Sequence, residues 1–187
     1  MEYYIKKNGS EKPSFDTIAV SGTASARPHG VPRPVKLEKG FLTMDYGAVV
    51  NGYHSDMTRT IVIGKADEEI ARLYNTVLAA QCAAIEAIME GAKNADMDKV
   101  ARDLIDNAGY KGCFGHSLGH GVGLEIHEQP GVSGGMGDAV LKAGQIITVE
   151  PGIYIEGKYG CRIEDMVLIT EGGKRNLTNC PKEMIEI

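Results

Sequence analysis

Apolar residues recur at Ile70, Leu73, Tyr74, Val77, Leu78, Ile85 and Ile88, the three-to-four-residue spacing of one helical face. Asp67, Glu68 and Glu69 precede that stripe, where the helix dipole favours negative charge. The pattern predicts the longest helix of the chain over 67–89. A second, shorter stripe (Val100, Leu104, Ile105) predicts a helix from about Met97 to Asn107, stopped by Gly109, so that the two helices form a hairpin across a short polar loop. On either side of this pair the apolar period falls towards two. FLTMDYGAVV and YHSDMTRTIVIG flank Asn51-Gly52, a strong signal for a two-residue type I′ hairpin. QIITVEPGIYIEGKYGCRIEDMVLIT reads as strand, turn and strand, with Gly157 and Gly160 marking the turn. The first dozen residues read as a helix that ends at Asn8-Gly9, followed by strand and loop over Phe15–Val20 and Arg27–Pro34. The order is thus helix end, strands, hairpin, helix pair, strands, hairpin. These are two halves of similar plan, the first lacking its leading helix, and with no low-complexity linker they predict one α+β domain over 1–187.

Composition narrows the partners. With 187 residues and 43% apolar side chains, the chain can bury a real core. A net charge of -5 and no basic run longer than a pair exclude a footprint for nucleic acid or an anionic membrane. The opening residues lack an apolar signal segment, and no window approaches 18 uninterrupted apolar residues, so the cytosol is the expected location. Cys82, Cys113, Cys161 and Cys180 form no CxxC pair and are expected to be reduced packing residues.

Carboxylates inside the strand-like segments add candidate chemistry. A turn at Asn51-Gly52 pairs Val50 with Tyr53, Ala48 with Ser55, Gly47 with Asp56, and Asp45 with Thr58. Side chains alternate between faces, so Asp45 and Asp56 share one face as diagonal neighbours, about 7 Å apart. Gly47 between them is expected to leave room for something positive, a divalent cation being the simplest choice. Two aspartates on a solvated face held by Arg59 are the plain alternative. Glu150 and Glu164 interrupt the second apolar hairpin in the same way, against strand propensity. Three of the five histidines (His116, His120, His127) cluster in FGHSLGHGVGLEIHE, interleaved with glycines that are better read as permitting close backbone approach than as helix breakers. Four carboxylates and one imidazole make a set able to hold two divalent ions.

MDYGA, GYHSDMTRT, GHSLGHGVGLEIHE, TVEPGIYI and RIED, in this order, resemble the dinuclear metallopeptidases of the pita-bread fold, peptidase family M24. Within them the wording of EPGIYI and GCRIEDMVLIT is similar to the Xaa-Pro aminopeptidase and prolidase branch. The resemblance runs from near Gly9 to near Leu177. It implies an α+β pita-bread fold with two pseudo-symmetric halves around a curved antiparallel sheet. It also implies that Asp45, Asp56, His120, Glu150 and Glu164 ligate two divalent ions, Asp56 and Glu164 bridging both. Mn2+ is the expected metal, with Co2+, Fe2+ or Zn2+ as alternatives. The implied reaction is hydrolysis of the N-terminal Xaa-Pro bond by a hydroxide bridging the two metals. His29 then lines the substrate pocket, His116 stands on the leaving-group side, His127 donates to the scissile carbonyl oxygen, and Glu150 doubles as proton shuttle. Arg162 would orient Asp45. His54 is read as rim or structural, and Tyr154 as bordering the pocket.

The implied partner is a peptide with proline at its second position, with self-association into homo-oligomers as an additional expectation. Set against the resemblance, these 187 residues are expected to be the catalytic domain without the family's separate N-terminal domain and first long helix, which should leave apolar sheet surface uncovered. Two other readings stay open: a methionine aminopeptidase-like exopeptidase with the same ligand order, and a catalytically impaired pita-bread fragment used for binding or assembly. Creatinase-like relatives without metals are disfavoured by the full ligand set.

Overall fold

The computed structural model describes residues 1–187. The chain opens with helix α1 (Glu2–Lys7), which ends at Asn8 and Gly9 (φ 103°) and buries no residue. Strand β1 (Ile18–Ser21) then forms an antiparallel three-stranded sheet with β2 (Gly40–Tyr46) and β5 (Met57–Ile63), in the order β1-β2-β5. Between β2 and β5 lies the short hairpin of β3 (Val49–Val50) and β4 (Tyr53–His54). Asn51 (φ 51°) and Gly52 (φ 76°) both take positive φ, as a type I′ turn requires. The register follows from that turn: Val50 faces Tyr53, Tyr46 faces Met57, and Asp45 faces Thr58.

The ladder is nevertheless broken where Gly47, Ala48, Ser55 and Asp56 separate the two paired stretches. The two backbones come too close there for a side chain at Gly47. A Cβ on Gly47 would stand 1.8 Å from the Ser55 carbonyl oxygen and 2.8 Å from Ser14 Cβ. The glycine therefore serves backbone packing and does not clear space for a cation, which corrects the expectation drawn from its spacing.

Helix α2 (Glu68–Ala87) starts where Asp67 accepts the Ile70 N–H at 2.8 Å, an N-cap bond, and buries Ile70, Leu73, Tyr74, Val77, Ala80, Gln81 and Ala84. Helix α3 (Asn94–Ile105) packs on it. α2 stops two residues short of the predicted Met89. Beyond it, residues 91–94 pair with 139–141: the Gly91 N–H reaches the Leu141 carbonyl, and the Leu141 N–H the Ala92 carbonyl, both at 2.9 Å. α3 runs into a wider turn over Asp106–Tyr110 and ends at Gly109 (φ 96°).

The second half is a five-stranded antiparallel sheet, order β12-β11-β8-β6-β7. Its strands are β6 (Gly119–Gly121), β7 (Glu128–Val132), β8 (Ile146–Val149), β11 (Asp165–Thr170) and β12 (Gly173–Asn176). β9 (Gly152–Ile155) and β10 (Tyr159–Arg162) form a separate hairpin between β8 and β11. This hairpin breaks as the first does: Val149 pairs with Asp165 and Gly152 with Arg162, leaving Glu150, Pro151, Ile163 and Glu164 outside both ladders. The uninterrupted strand-turn-strand expected from sequence is thus two ladders. Gly119 and Gly121 permit close approach, since Cβ atoms there would lie 2.0 Å from the Thr148 oxygen and 2.5 Å from the Gln129 oxygen.

The halves meet at a polar seam. Thr60 Oγ1 donates to the Arg162 carbonyl at 2.8 Å and accepts the Arg162 N–H at 3.2 Å, while the Glu164 N–H reaches the Thr58 carbonyl at 3.1 Å. One apolar cluster runs from Phe41 to Ile169 and draws on both sheets and both long helices. On the other face of β2 and β5, Met44, Tyr46, Met57, Ile61 and Ile63 are only half-buried. All four cysteines are free, but only Cys161 is buried; Cys82 and Cys180 are exposed, so packing does not explain them.

The Gly47 contact predicts that Gly47→Ala costs at least about 2 kcal/mol of stability, because backbone on both sides must shift. Gly115, where an added methyl group would meet nothing within 4 Å, should tolerate the same change to within about 0.5 kcal/mol. Urea unfolding of the two variants measures the difference.

Candidate functional site

The breaks in the two hairpins set the site. Asp45 lies one residue from the end of β2, and Asp56 just before β5 begins; Glu150 directly follows β8, and Glu164 directly precedes β11. His120 is the central residue of β6, whose neighbours in the sheet are β8 and β7. All five side chains line one cavity of about 550 Å³. His120 Nε2 is 3.6 Å from Asp56 Oδ2 and 3.4 Å from Glu150 Oε1. Single ligand atoms of Asp56, His120 and Glu164 lie within 4.8 Å of one another.

Four carboxylates this close, with one arginine among them, cannot all be charged cheaply. Burial first, then the neighbouring Asp45 and Glu150 charges, push Asp56 up to about 9. Burial raises Glu150 to about 7 and Glu164 well above the ordinary carboxylate range. Asp45 Oδ1 and Asp56 Oδ1 are buried with no hydrogen-bond partner. The His120 Nδ1–H donates to the Gly121 carbonyl at 2.9 Å, which leaves the Nε2 lone pair facing the carboxylates. Burial lowers its pKa and keeps it neutral. Orphaned carboxylate oxygens, a neutral imidazole lone pair and excess negative charge fit hard divalent cations.

Arg162, 3% exposed, occupies the middle of the constellation. Its Nη2 donates to Asp45 Oδ2 at 2.6 Å, the contact expected from sequence, and its Nε to Thr58 Oγ1 at 3.0 Å. Thr58 passes the interaction on, donating to Glu164 Oε2 at 2.7 Å. Thr148 does the same for the other half: it accepts the His120 N–H at 3.0 Å and donates to Glu150 Oε1 at 3.2 Å. Sequence reasoning passed over both threonines. The signal for Thr148 was available, since it sits two residues before Glu150 and shares its strand face.

The other histidines divide between cavity and scaffold. His29, His116 and His127 line the cavity. His116 donates from Nδ1 to the Ser117 carbonyl at 2.8 Å, and its Nε2 accepts the Tyr154 hydroxyl at 2.9 Å. Tyr154 in turn accepts from Arg162 Nη1 at 2.9 Å. Burial pulls His116 down to about 4, so it is neutral at pH 7. His127 is exposed, its ring centroid 4.3 Å from that of His120. His54 does not line this cavity; its Nδ1 is bonded to Ser14 Oγ at 2.8 Å, a structural role as expected.

Asp56, Glu150 and Glu164 all hold protons above the usual carboxylate range, which outweighs the opposing effect of the neutral His116 and His120 below about pH 6.5, so the metal-free native state binds more protons than the unfolded chain. Its stability therefore falls as pH rises from about 4, where unfolded carboxyls titrate, through about 9. Thermal midpoints in chelator at pH 5, 7 and 9 should decline, and Asp56→Asn should raise the pH 9 midpoint and flatten the slope. A midpoint that climbs with pH would contradict this electrostatic picture.

The sequence model of metallopeptidase family M24 matches residues 1–171. Over 186 residues the chain is 50% identical to the Xaa-Pro dipeptidase of Pyrococcus furiosus, covering 99% of this chain and 53% of that protein. Among solved structures, prolidase from Pyrococcus furiosus superposes with a TM-score of 0.94 at 51% identity, over 96% of this chain and 53% of that one. X-Pro aminopeptidase from Thermotoga maritima superposes with a TM-score of 0.96 at 42% identity, over 100% and 53%. The chain thus spans about half the length of the relatives it matches. These likenesses show the α+β pita-bread fold, with its mixture of helices and antiparallel sheet. The chain belongs to metallopeptidase family M24.

Proposed function

We propose that residues 1–187 form a metallopeptidase catalytic domain that removes the residue preceding proline at a peptide N-terminus. The observation that carries this reading is the convergence of Asp45, Asp56, His120, Glu150 and Glu164 on one cavity, with carboxylate oxygens left buried and unpartnered. These five residues would hold two divalent cations, Mn2+ being the first choice and Co2+, Fe2+ or Zn2+ compatible with the same donors. When bound, such ions supply Lewis acidity and a water acidic enough to be a nucleophile at neutral pH. Cytosolic residence suits the four free cysteines.

The chain's own residues supply the remainder. Arg162 holds Asp45 through Nη2 and offsets part of the repulsion within the carboxylate cluster. Glu150 has one oxygen tied to Thr148 and the other 4.0 Å from Arg162 Nε, contacts that support a role in accepting a proton and returning it to the departing proline nitrogen. His127, unbonded at the cavity wall, donates to the scissile carbonyl oxygen as charge develops there. His29 and the neutral His116 bound the substrate, His116 on the leaving-group side. An Xaa-Pro bond is a tertiary amide, and relatives are named for that bond. Both dipeptides and longer peptides are accommodated by this reading.

With Mn2+ supplied, the purified chain is expected to bind about two ions and to cleave Ala-Pro and Ala-Pro-Ala between alanine and proline. Asp45→Ala should lower kcat/KM at least about 100-fold, and Arg162→Met should weaken metal retention by about 10- to 100-fold, the usual effect of losing a group that orients a ligand. Metal content by elemental analysis and product chromatography check both. A chain that neither retains metal nor cleaves, and that is indifferent to Asp45→Ala, rules the proposal out.

A further inference from the structure

Helix α3 carries a carboxylate on its buried side. Asp98 is 3% exposed and lies beside Met97 and Ala101, which are also buried. A buried carboxylate on an apolar face is stable only if it is well bonded. Its oxygens accept Arg102 Nε at 2.8 Å and Nη2 at 2.9 Å, a bidentate pair one helical turn apart. Both residues then bond beyond the helix. Arg102 Nη1 donates to the Phe114 carbonyl at 2.6 Å and Nη2 to the His116 carbonyl at 2.9 Å, while the guanidinium lies 4.3 Å from the Phe114 ring centroid. Asp98 Oδ1 accepts the Leu118 N–H at 3.0 Å, and the Leu118 carbonyl accepts the Glu150 N–H at 2.8 Å.

The pair therefore grips Phe114, His116 and Leu118 by their backbone and reaches Glu150 through the Leu118 peptide. Neither Asp98 nor Arg102 lines the cavity. We infer that Asp98 and Arg102 are positioning residues, which from outside the cavity fix the tautomer of His116 and the placement of Glu150. The tautomer depends on the segment's path, because the His116 Nδ1–H is spent on the adjacent Ser117 carbonyl. The same path brings Nε2 to the Tyr154 hydroxyl at 2.9 Å, a bond that favours the same tautomer, while the Tyr154 N–H holds the Cys113 carbonyl upstream at 2.9 Å. Two carbonyls and a carboxylate around one planar fork is geometry that a lysine ammonium cannot reproduce.

The catalytic consequence rests on the peptidase reading above; the tautomer does not, and the experiment separates them. Long-range 1H–15N correlation spectra of metal-free protein labelled with 15N-histidine should show His116 as a single Nδ1–H tautomer. In Arg102→Lys the His116 nitrogens should move towards averaged shifts, while those of His54, held on the first hairpin by Ser14, stay put. With Mn2+ and Ala-Pro-Ala, kcat should fall about tenfold with KM changed less than about twofold, the pattern for a displaced catalytic group. Asp98→Asn combined with Arg102→Gln removes both charges, avoids a lone buried carboxylate and is expected to give the same shifts. A folded variant with wild-type His116 spectra and wild-type kcat overturns the inference. If the wild-type protein proves inactive while the His116 shifts move as expected, the positioning pair stands and the peptidase reading falls.

Discussion

The ion pair between Arg162 and Asp45 is the interaction on which the site depends. Four carboxylates share one cavity, and Arg162 is the fixed positive charge within it. Its guanidinium also reaches Thr58, Tyr154 and the Pro28 carbonyl, so it ties the second hairpin to the first sheet and to the loop that carries His29. Removing one partner of a buried pair typically costs about 3–5 kcal/mol, because the other is left charged and unsolvated. Here the loss would also free Asp45 to repel Asp56, which is already driven towards its protonated form.

That electrostatic arrangement needs backbone that is neither strand nor free loop. A continuous ladder would alternate side chains above and below the sheet and would leave no space between strands. Each hairpin instead abandons its ladder for a few residues and resumes it in a separate short pair. The acidic residues stand at these interruptions or next to them, so the repeated plan of the two halves brings carboxylates together from both sides. The Thr58–Glu164 and Thr60–Arg162 bonds close the seam between them. The long helices lie behind the sheet, and α3 reaches forward to the histidine segment through Asp98 and Arg102.

Much of this was legible in the sequence. The Asn51-Gly52 turn set the register down to Asp45 opposite Thr58, because two residues with positive φ leave one way to pair the flanking strands. The stripes of α2 and α3 gave their existence, though not their ends; Ile88 and Met89 leave the helix because the backbone beyond them pairs with 139–141, a contact distant in sequence. Asp45, Asp56, His120, Glu150 and Glu164 were recognisable as a set, and the structure does bring them to one cavity. Gly47 was recognisable as special but for the wrong reason, since its closest neighbour is the carbonyl of Ser55 across a ladder break that alternation does not reveal.

By itself the sequence determined local geometry and donor chemistry: which residues turn, which stripes are apolar, and which side chains can carry charge or a lone pair. These follow from φ preferences, periodicity and functional groups, all properties of neighbouring residues. Only the tertiary structure decided which charges share a low-dielectric space, and hence that Asp56 and Glu150 leave the ordinary carboxylate range while His116 stays neutral. It alone also joined Thr58 to Glu164 and Asp98 to the Leu118 peptide. Desolvation and through-space hydrogen bonds depend on residues some twenty to a hundred positions apart, and spacing along a chain carries no measure of either.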